Sequence, residues 1–232
     1  MPFISKLSET QQLQIIEDWV TEQKPSTKTS YHWWVENTDS EIKHLIKSIS
    51  HSNSIIQNVP YKCVQSVESM NEIYVSCKNE NEITTSDTVF ITEHIDGPFC
   101  FLKGVSLYRV ILAVSKSDMY VTKIIAEPQK SIILTKGDII GFDFNRTSHL
   151  IEKNPKSVSS SDRIVLKLHY LGYSNKTMLI YRYFAIMCNI LYDRIARELF
   201  LYTLEPKSFL QKQTAQLILI ITKLWNNYVL ST

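Results

Sequence analysis

Apolar residues recur along this chain with two different periods, one at the ends and another in the middle. Near the N-terminus the period is helical. Ser8-Glu-Thr-Gln11 has the form of a capping box, and Leu13, Ile16 and Val20 follow three or four residues apart, which predicts a helix over about 8–23. Pro25 and the polar run 26–30 end it. Thr38-Asp-Ser-Glu41 is a second capping box. Behind it Ile42, Leu45, Ile46 and Ile49 fall at i, i+3, i+4 and i+7, the stripe of a short amphipathic helix. Between the two lies Tyr31-His-Trp-Trp34, an aromatic cluster that reads as a plug for one end of a core, with base or sugar stacking as the alternative.

From about residue 61 short runs rich in Val, Ile, Tyr and Thr alternate with turn residues. They predict strands near 62–68, 72–78, 88–95, 105–114, 119–126, 130–135, 138–144, 148–152 and 163–170. Turn signals include 69–71, Asp96-Gly-Pro98, Ser117-Asp118, Lys136-Gly137 and the loop 153–162; the polar run 78–87 reads as a solvated connector. Short strands at this spacing predict a jelly-roll sandwich or barrel. After Gly172 the helical period returns. Ile180, Phe184, Met187, Leu191, Ile195 and Leu199 predict one long helix, and Pro206 suits the first turn of another that runs to about Tyr228. These helices read first as packing on the outside of the β core. A homodimer interface is the second reading. The third is a membrane-surface contact, with Arg182, Arg194 and Arg197 turned to headgroups. The expected fold is α+β: an N-terminal helical segment 1–60, a jelly-roll core 61–172 and C-terminal helices 173–232.

Composition adds limits. The 232 residues are 44% apolar and 21% charged, enough to build a sizeable core. Twenty-five Lys+Arg against 23 Asp+Glu leave a formal charge of +2, which gives no electrostatic case for a nucleic-acid partner. No secretory signal opens the chain, and its longest apolar-rich runs, Tyr183–Tyr192 and Gln213–Thr222, fall short of the roughly 18–20 residues that span a bilayer. Cys63, Cys77, Cys100 and Cys188 form no CxxC pair and read as reduced thiols of a cytoplasmic protein, in which the sequons at Asn145 and Asn175 would be idle.

The candidate chemistry lies in the β region. His94-Ile-Asp96 closes a predicted strand just before Gly97-Pro98. Residues i and i+2 of a strand share a face, so His94 and Asp96 can bind one metal together. His149 opens a later strand, and a jelly roll can bring strands that far apart in sequence to face each other. Two imidazoles and one carboxylate leave positions open for a co-substrate and O₂, an arrangement suited to non-haem Fe(II). The final strand opens at Arg163, and alternation puts Arg163, Val165, Lys167 and His169 on one face. A cation turned into a barrel needs a partner, which would be a bound dicarboxylate or a protein carboxylate such as Asp143; the other reading is that Arg163 is a solvated strand-end charge. His32, His44 and His51 show no metal spacing.

The order His94-x-Asp96, an aliphatic strand, Lys-Gly-Asp-Ile-Ile-Gly-Phe-Asp143, His149 and then Arg163 resembles the Fe(II)- and 2-oxoglutarate-dependent oxygenase superfamily over roughly residues 87–170. The strand from Arg163 to His169 and the Gly97-Pro98 step loosely resemble its aspartyl/asparaginyl β-hydroxylase branch. The resemblance implies a double-stranded β-helix core braced by helices. It implies that His94, Asp96 and His149 ligate iron and that Arg163 binds the far carboxylate of 2-oxoglutarate. Because the gap from His149 to Arg163 is long, Lys167 is the alternative carboxylate binder. Tyr108 and Arg109 offer a hydroxyl and a cation on opposite faces of their strand, so only one of them can reach the cofactor. The Ser-rich loop 153–162 and the loop after Gly97 are expected to flank the mouth. The implied activity is hydroxylation of a C–H bond in a protein side chain or small molecule, with oxidative decarboxylation of 2-oxoglutarate to succinate and CO₂. A metal-binding cupin that does not use 2-oxoglutarate, and a non-catalytic jelly-roll interaction module, are the alternatives.

Overall fold

Two long stretches, Val105–Ala113 and Arg163–Tyr173, pair antiparallel along most of their length and form the spine of the molecule. Both are buried almost throughout, because both of their faces are covered. The computed structural model describes residues 2–7, 10–23, 31–76, 93–125, 129–158, 161–204 and 208–231. Within them the chain runs β1 (Phe3–Lys6), α1 (Thr10–Gln23), β2 (Tyr31–Trp34), α2 (Ser40–Ser50), a single turn α3 (Asn53–Ile56), β3 (Cys63–Ser66), β4 (Glu72–Ser76), β5 (Val105–Ala113), β6 (Tyr120–Ile124), β7 (Lys130–Ile133), β8 (Asp138–Asp143), β9 (His149–Lys153), β10 (Arg163–Tyr173), α4 (Leu179–Leu204) and α5 (Phe209–Ser231). The capping box at Ser8, Cys77, the connector 78–87, most of the strand expected at 88–95 and Pro206 lie outside the described residues.

The strands form two antiparallel sheets. The larger has the order β1-β8-β5-β10-β4-β2, with β3 also paired to β10, and the smaller has the order β7-β6-β9. Strand alternation then divides the core. Tyr108, Val110 and Leu112 of β5 and Ile164, Leu166, Leu168 and Tyr170 of β10 point outward, where Leu13, Ile16 and Val20 of α1 and Ile42, Ile46 and Ile49 of α2 cover them. The opposite parity, Ile111 and Ala113 of β5 with Val165 of β10, points inward against Ile124 and Leu134 from the side of the small sheet. This is a jelly roll with helices on its outer face, an α+β architecture. Gly137 sustains the β7–β8 turn at φ 89°, a conformation that a side chain disfavours.

Several local expectations change. The second capping box is shifted by one residue: Asp39, not Thr38, caps α2 by accepting from the Ile42 amide at 3.0 Å, while the Thr38 hydroxyl donates to the Val35 carbonyl. The aromatic cluster Tyr31–Trp34 is strand β2, paired to β4, and Phe3–Lys6 is strand β1, paired to β8. Helix α4 does pack on the β core, but not through its regular apolar stripe. Ala185 and Ile186 join Leu102, Leu107 and Phe144 at one end of the barrel, with Asn189 and Asp193 buried beside them. Ile180, Met187, Leu191 and Ile195 face outward, each more than half exposed. The barrel end that α4 covers carries polar groups, so the docking face is the one that can satisfy them. Arg182 stacks 4.4 Å over Tyr173, and Arg194 pairs with Glu36 at 2.6 Å while stacking on Trp34, so neither is turned to headgroups. No helix among the described residues is long and apolar enough to cross a membrane.

Candidate metal centre

His149 opens β9 and is buried at the inner surface of the small sheet. Across from it the segment around His94 forms an isolated bridge, each backbone N–H donating to the other residue's carbonyl at 3.0 Å. That bridge puts the two imidazoles side by side, with ring centres 4.5 Å apart. Two residues on, Asp96 closes the triangle. Its Oδ1 lies 3.7 Å from His94 Nε2 and its Oδ2 lies 3.6 Å from His149 Nε2. One ligand atom from each of the three falls within 4.8 Å of the others. The side chains are only 12%, 11% and 5% exposed for His94, Asp96 and His149.

The donor set fits a divalent metal in its protonation as well as its geometry. His149 Nδ1 faces the Thr147 carbonyl at 3.3 Å, which places the ring proton there and leaves the Nε2 lone pair toward Asp96. Burial lowers the His149 pKa to about 4 against the pull of Asp96, so the ring is neutral and can donate at physiological pH. Burial alone would raise the Asp96 carboxyl, but Arg109, with His149 and His94, outweighs it and holds the group ionised well below the usual carboxylate range. Arg109 Nη1 approaches Asp96 Oδ2 to 2.9 Å without an aligned hydrogen bond, and among the described residues that buried oxygen has no hydrogen-bond partner. A cation is what such an oxygen lacks.

The segment carrying Asp96 is pinned from below by the β8–β9 connection. The Gly97 amide donates to the Phe144 carbonyl at 3.0 Å, and the Phe99 amide donates to Asn145 Oδ1 at 3.0 Å. Arg146 donates to the carbonyls of Cys100 and Leu102, both at 2.8 Å, while its other nitrogen pairs with Asp143 at 3.0 Å. A Cβ on Gly97 would overlap Asn145 Oδ1 and the Phe144 ring, so this approach is open only to glycine. Asn145 in turn donates to Asn189 of α4 at 3.0 Å.

The remaining candidates separate by face. Arg109 points into the barrel toward the triad, whereas Tyr108 lies in the outer core with its ring centre 6.1 Å from that of Tyr61. Lys167 is buried and pairs with Glu72 at 2.8 Å. Arg163 is buried, with Nη2 3.5 Å from the Thr122 hydroxyl, and among the described residues no carboxylate lies within ion-pair reach of it; Asp143 is engaged by Arg146 instead. Burial lowers the Arg163 pKa to about 10, which leaves it cationic at neutral pH. The register of β6 on β9 sets Thr122 opposite Ile151, two residues from His149 and so on the order of 7 Å along the strand. The loop after Gly97 adjoins the triad. The described part of the Ser-rich connection leaves β9 at Lys153, the end opposite His149.

Sequence reasoning passed over Asn145, Arg146, Asn189 and Asp193. Asn145 was read only as an idle sequon. Ala185, Asn189 and Asp193 do carry a signal: they recur every four residues, a small and polar line down one face of a helix that is otherwise apolar.

No protein-family model matches the sequence, and no curated protein matches it. Solved structures do. The non-haem α-ketoglutarate-dependent epimerase SnoN of nogalamycin biosynthesis is 9% identical, aligns over 78% of this chain and 83% of its own, and superposes with a TM-score of 0.52. A prolyl-4-hydroxylase from Pseudomonas putida is 8% identical over 74% of this chain and 92% of its own, with a TM-score of 0.48. HygX from Streptomyces hygroscopicus, solved with iron bound, is 5% identical over 76% and 83%, with a TM-score of 0.48. The likeness to SnoN establishes a shared fold.

Proposed function

We propose that this chain is an Fe(II)- and 2-oxoglutarate-dependent oxygenase that hydroxylates a C–H bond of a small molecule or protein side chain. The observation that carries the reading is the meeting of His94, Asp96 and His149, from distant parts of the chain, inside a fold shared with an α-ketoglutarate-dependent enzyme. Fe(II) with 2-oxoglutarate supplies the oxidation of a C–H bond by O₂, coupled to release of succinate and CO₂. The chain's own residues supply binding, orientation and charge. The imidazoles of His94 and His149 and the ionised Asp96 would hold the metal. Arg163 grips the far carboxylate of the co-substrate. Among the described residues, Lys167 is matched to Glu72 and Arg109 to Asp96 and Asp193, while Arg163 has no carboxylate within ion-pair reach. Its Thr122 contact lies on β6, two residues before Ile124, the register partner of His149, which supports this role. Phe142, packed 4.5 Å from the His149 ring, keeps water from the inner side of the ligand.

Residues 61–172 are the catalytic core in this reading, braced by 1–60 and 173–232. The outward apolar residues of α4 and α5, among them Leu191 at 62% and Leu224 at 63% exposure, form the face through which two copies would pair. Leu191→Lys should then return the protein to a monomer in light scattering. The free thiols Cys63, Cys100 and Cys188 suit the reducing cytoplasm.

Anaerobic Fe(II) titration with and without 2-oxoglutarate tests the function. Wild type should develop the weak visible charge-transfer band of the chelate, and His149→Ala should not. Iron binding without a 2-oxoglutarate-dependent band would point instead to a cupin of other chemistry. No iron affinity at all would leave a jelly-roll interaction module.

A further inference from the structure

Among the described residues, the segment that carries Asp96 meets the small sheet through an isolated bridge at His94 rather than a continuous strand pairing. Arg109, from the middle of β5, reaches that carboxylate from the barrel interior and is engaged on every side. Nη1 lies 2.9 Å from Asp96 Oδ2, Nε donates to His169 Nε2 at 3.0 Å, Nη2 donates to Asp193 Oδ1 at 3.4 Å, and the guanidinium stacks 4.6 Å over Phe144. The rigid fork can meet three partners at fixed angles, which a lysine ammonium on a flexible stem cannot. All three nitrogens face protein groups, so this guanidinium presents no free edge for a co-substrate carboxylate. Asp193, 84 residues further along the chain, is buried on α4 four residues after Asn189, which bonds Asn145 next to the Gly97 turn.

We infer that Arg109 is a positioning residue for the metal ligand Asp96 and that Asp193 holds Arg109 in place, so that helix α4 sets the orientation of the carboxylate. The inference rests on the metal reading above and deepens it. The metal centre is then built by four separated parts of the chain: the 94–96 segment, β9, β5 and a helix outside the barrel. Partners of this kind hold a ligand in the productive rotamer before the metal arrives, and their loss typically weakens metal binding about 10–100-fold.

Co(II) titration followed by visible absorption tests this without turnover. Asp193→Asn, close to isosteric, and Arg109→Lys, which keeps the charge but loses the fork, should each weaken Co(II) binding about tenfold or more. Each should also shift the ligand-field bands as Asp96 turns. Arg194→Gln removes a different α4 anchor, at Glu36 and the Ser69 carbonyl, and should change neither readout. Wild-type affinity and bands in a folded Asp193→Asn overturn the inference. So does an Arg194→Gln variant that weakens Co(II) equally, because loose docking of α4 would then be the cause. Arg109→Lys decides the matter if Asp193→Asn does not fold. Wild-type protein that takes up no Co(II) overturns the metal reading itself, an outcome distinct from intact binding with undisturbed variants.

Discussion

Lys167 and Glu72 face each other across β10 and β4 and close a 2.8 Å ion pair inside the barrel, with the ammonium also 4.1 Å from the centre of the Tyr74 ring. Glu72 has no exposed side-chain surface and Lys167 only 8%. Breaking such a pair strands one buried charge, whereas replacing both partners removes the desolvation cost as well. Glu72→Gln should therefore lose about 3–5 kcal/mol in urea unfolding. Combining Lys167→Met with Glu72→Leu should recover most of it. Simple additivity of the single losses would show that the two do not act as a unit.

Arg163 should be separable from the metal ligands. Arg163→Gln is expected to leave Fe(II) affinity near that of wild type and to weaken 2-oxoglutarate by about 30-fold or more, the equivalent of about 2 kcal/mol for a buried charge pair cut on one side. Competition titrations on the metal-loaded protein measure it. Unchanged 2-oxoglutarate affinity would remove Arg163 from the co-substrate site.

Gly97→Ala is a small change with a large expected consequence. The added methyl overlaps Asn145 Oδ1 and the Phe144 ring, so the 96–99 segment must lift. Stability should fall by about 1–3 kcal/mol, as in other overpacked sites. Metal affinity should fall further than stability does, because Asp96 moves with its neighbour. Thermal unfolding with and without Co(II) separates the two effects, and an equal loss in both states would argue that Asp96 stays where it is.

Asp138 should give acid sensitivity to the β7–β8 turn. Burial alone would raise its pKa, but hydrogen bonds from the Thr135 amide at 2.9 Å and hydroxyl at 2.7 Å, with Lys6 at 3.5 Å, outweigh it and lower the value. A carboxylate depressed in the folded state contributes stability above its unfolded pKa of about 3.9 and loses it as pH falls through the folded value. Asp138→Asn should cost about 1–2 kcal/mol at pH 7, since it weakens hydrogen bonds to a charged acceptor. The difference should close toward pH 3. A gap that persists in acid would assign the loss to packing rather than charge.

Strands β5, β8, β9 and β10 around the candidate site were legible because each carries its own pattern. Alternation places Arg163, Lys167 and His169 on one face, and the short His94-x-Asp96 spacing keeps two candidate ligands close although, among the described residues, only His94 makes a bridge there. Strands β1 and β2 were not legible. Each is four residues long, Tyr31–Trp34 is aromatic throughout and shows no alternation, and both find partners far away in sequence. Tyr108 and Arg109 could be sent to opposite faces, but which face was the inner one depended on the helices stacked over Tyr108. The bond from Arg109 to Asp193 spans 84 residues and follows from no local rule. On α4 the most regular apolar line turned outward, because the barrel end it covers offers hydrogen-bonding groups and so selects the Asn189–Asp193 face.

Strand β1 is a short latch on the rim of the larger sheet. Its four residues pair with Asp138–Gly141, the Phe3 ring fills the space above Gly141, and the Leu7 amide donates to the Gly137 carbonyl at 2.8 Å. Trimming the first seven residues would uncover the backbone of β8 and leave a bare template for strands of neighbouring molecules. Any shortened version of this protein should keep Phe3–Leu7, or it will clump before an assay of iron begins.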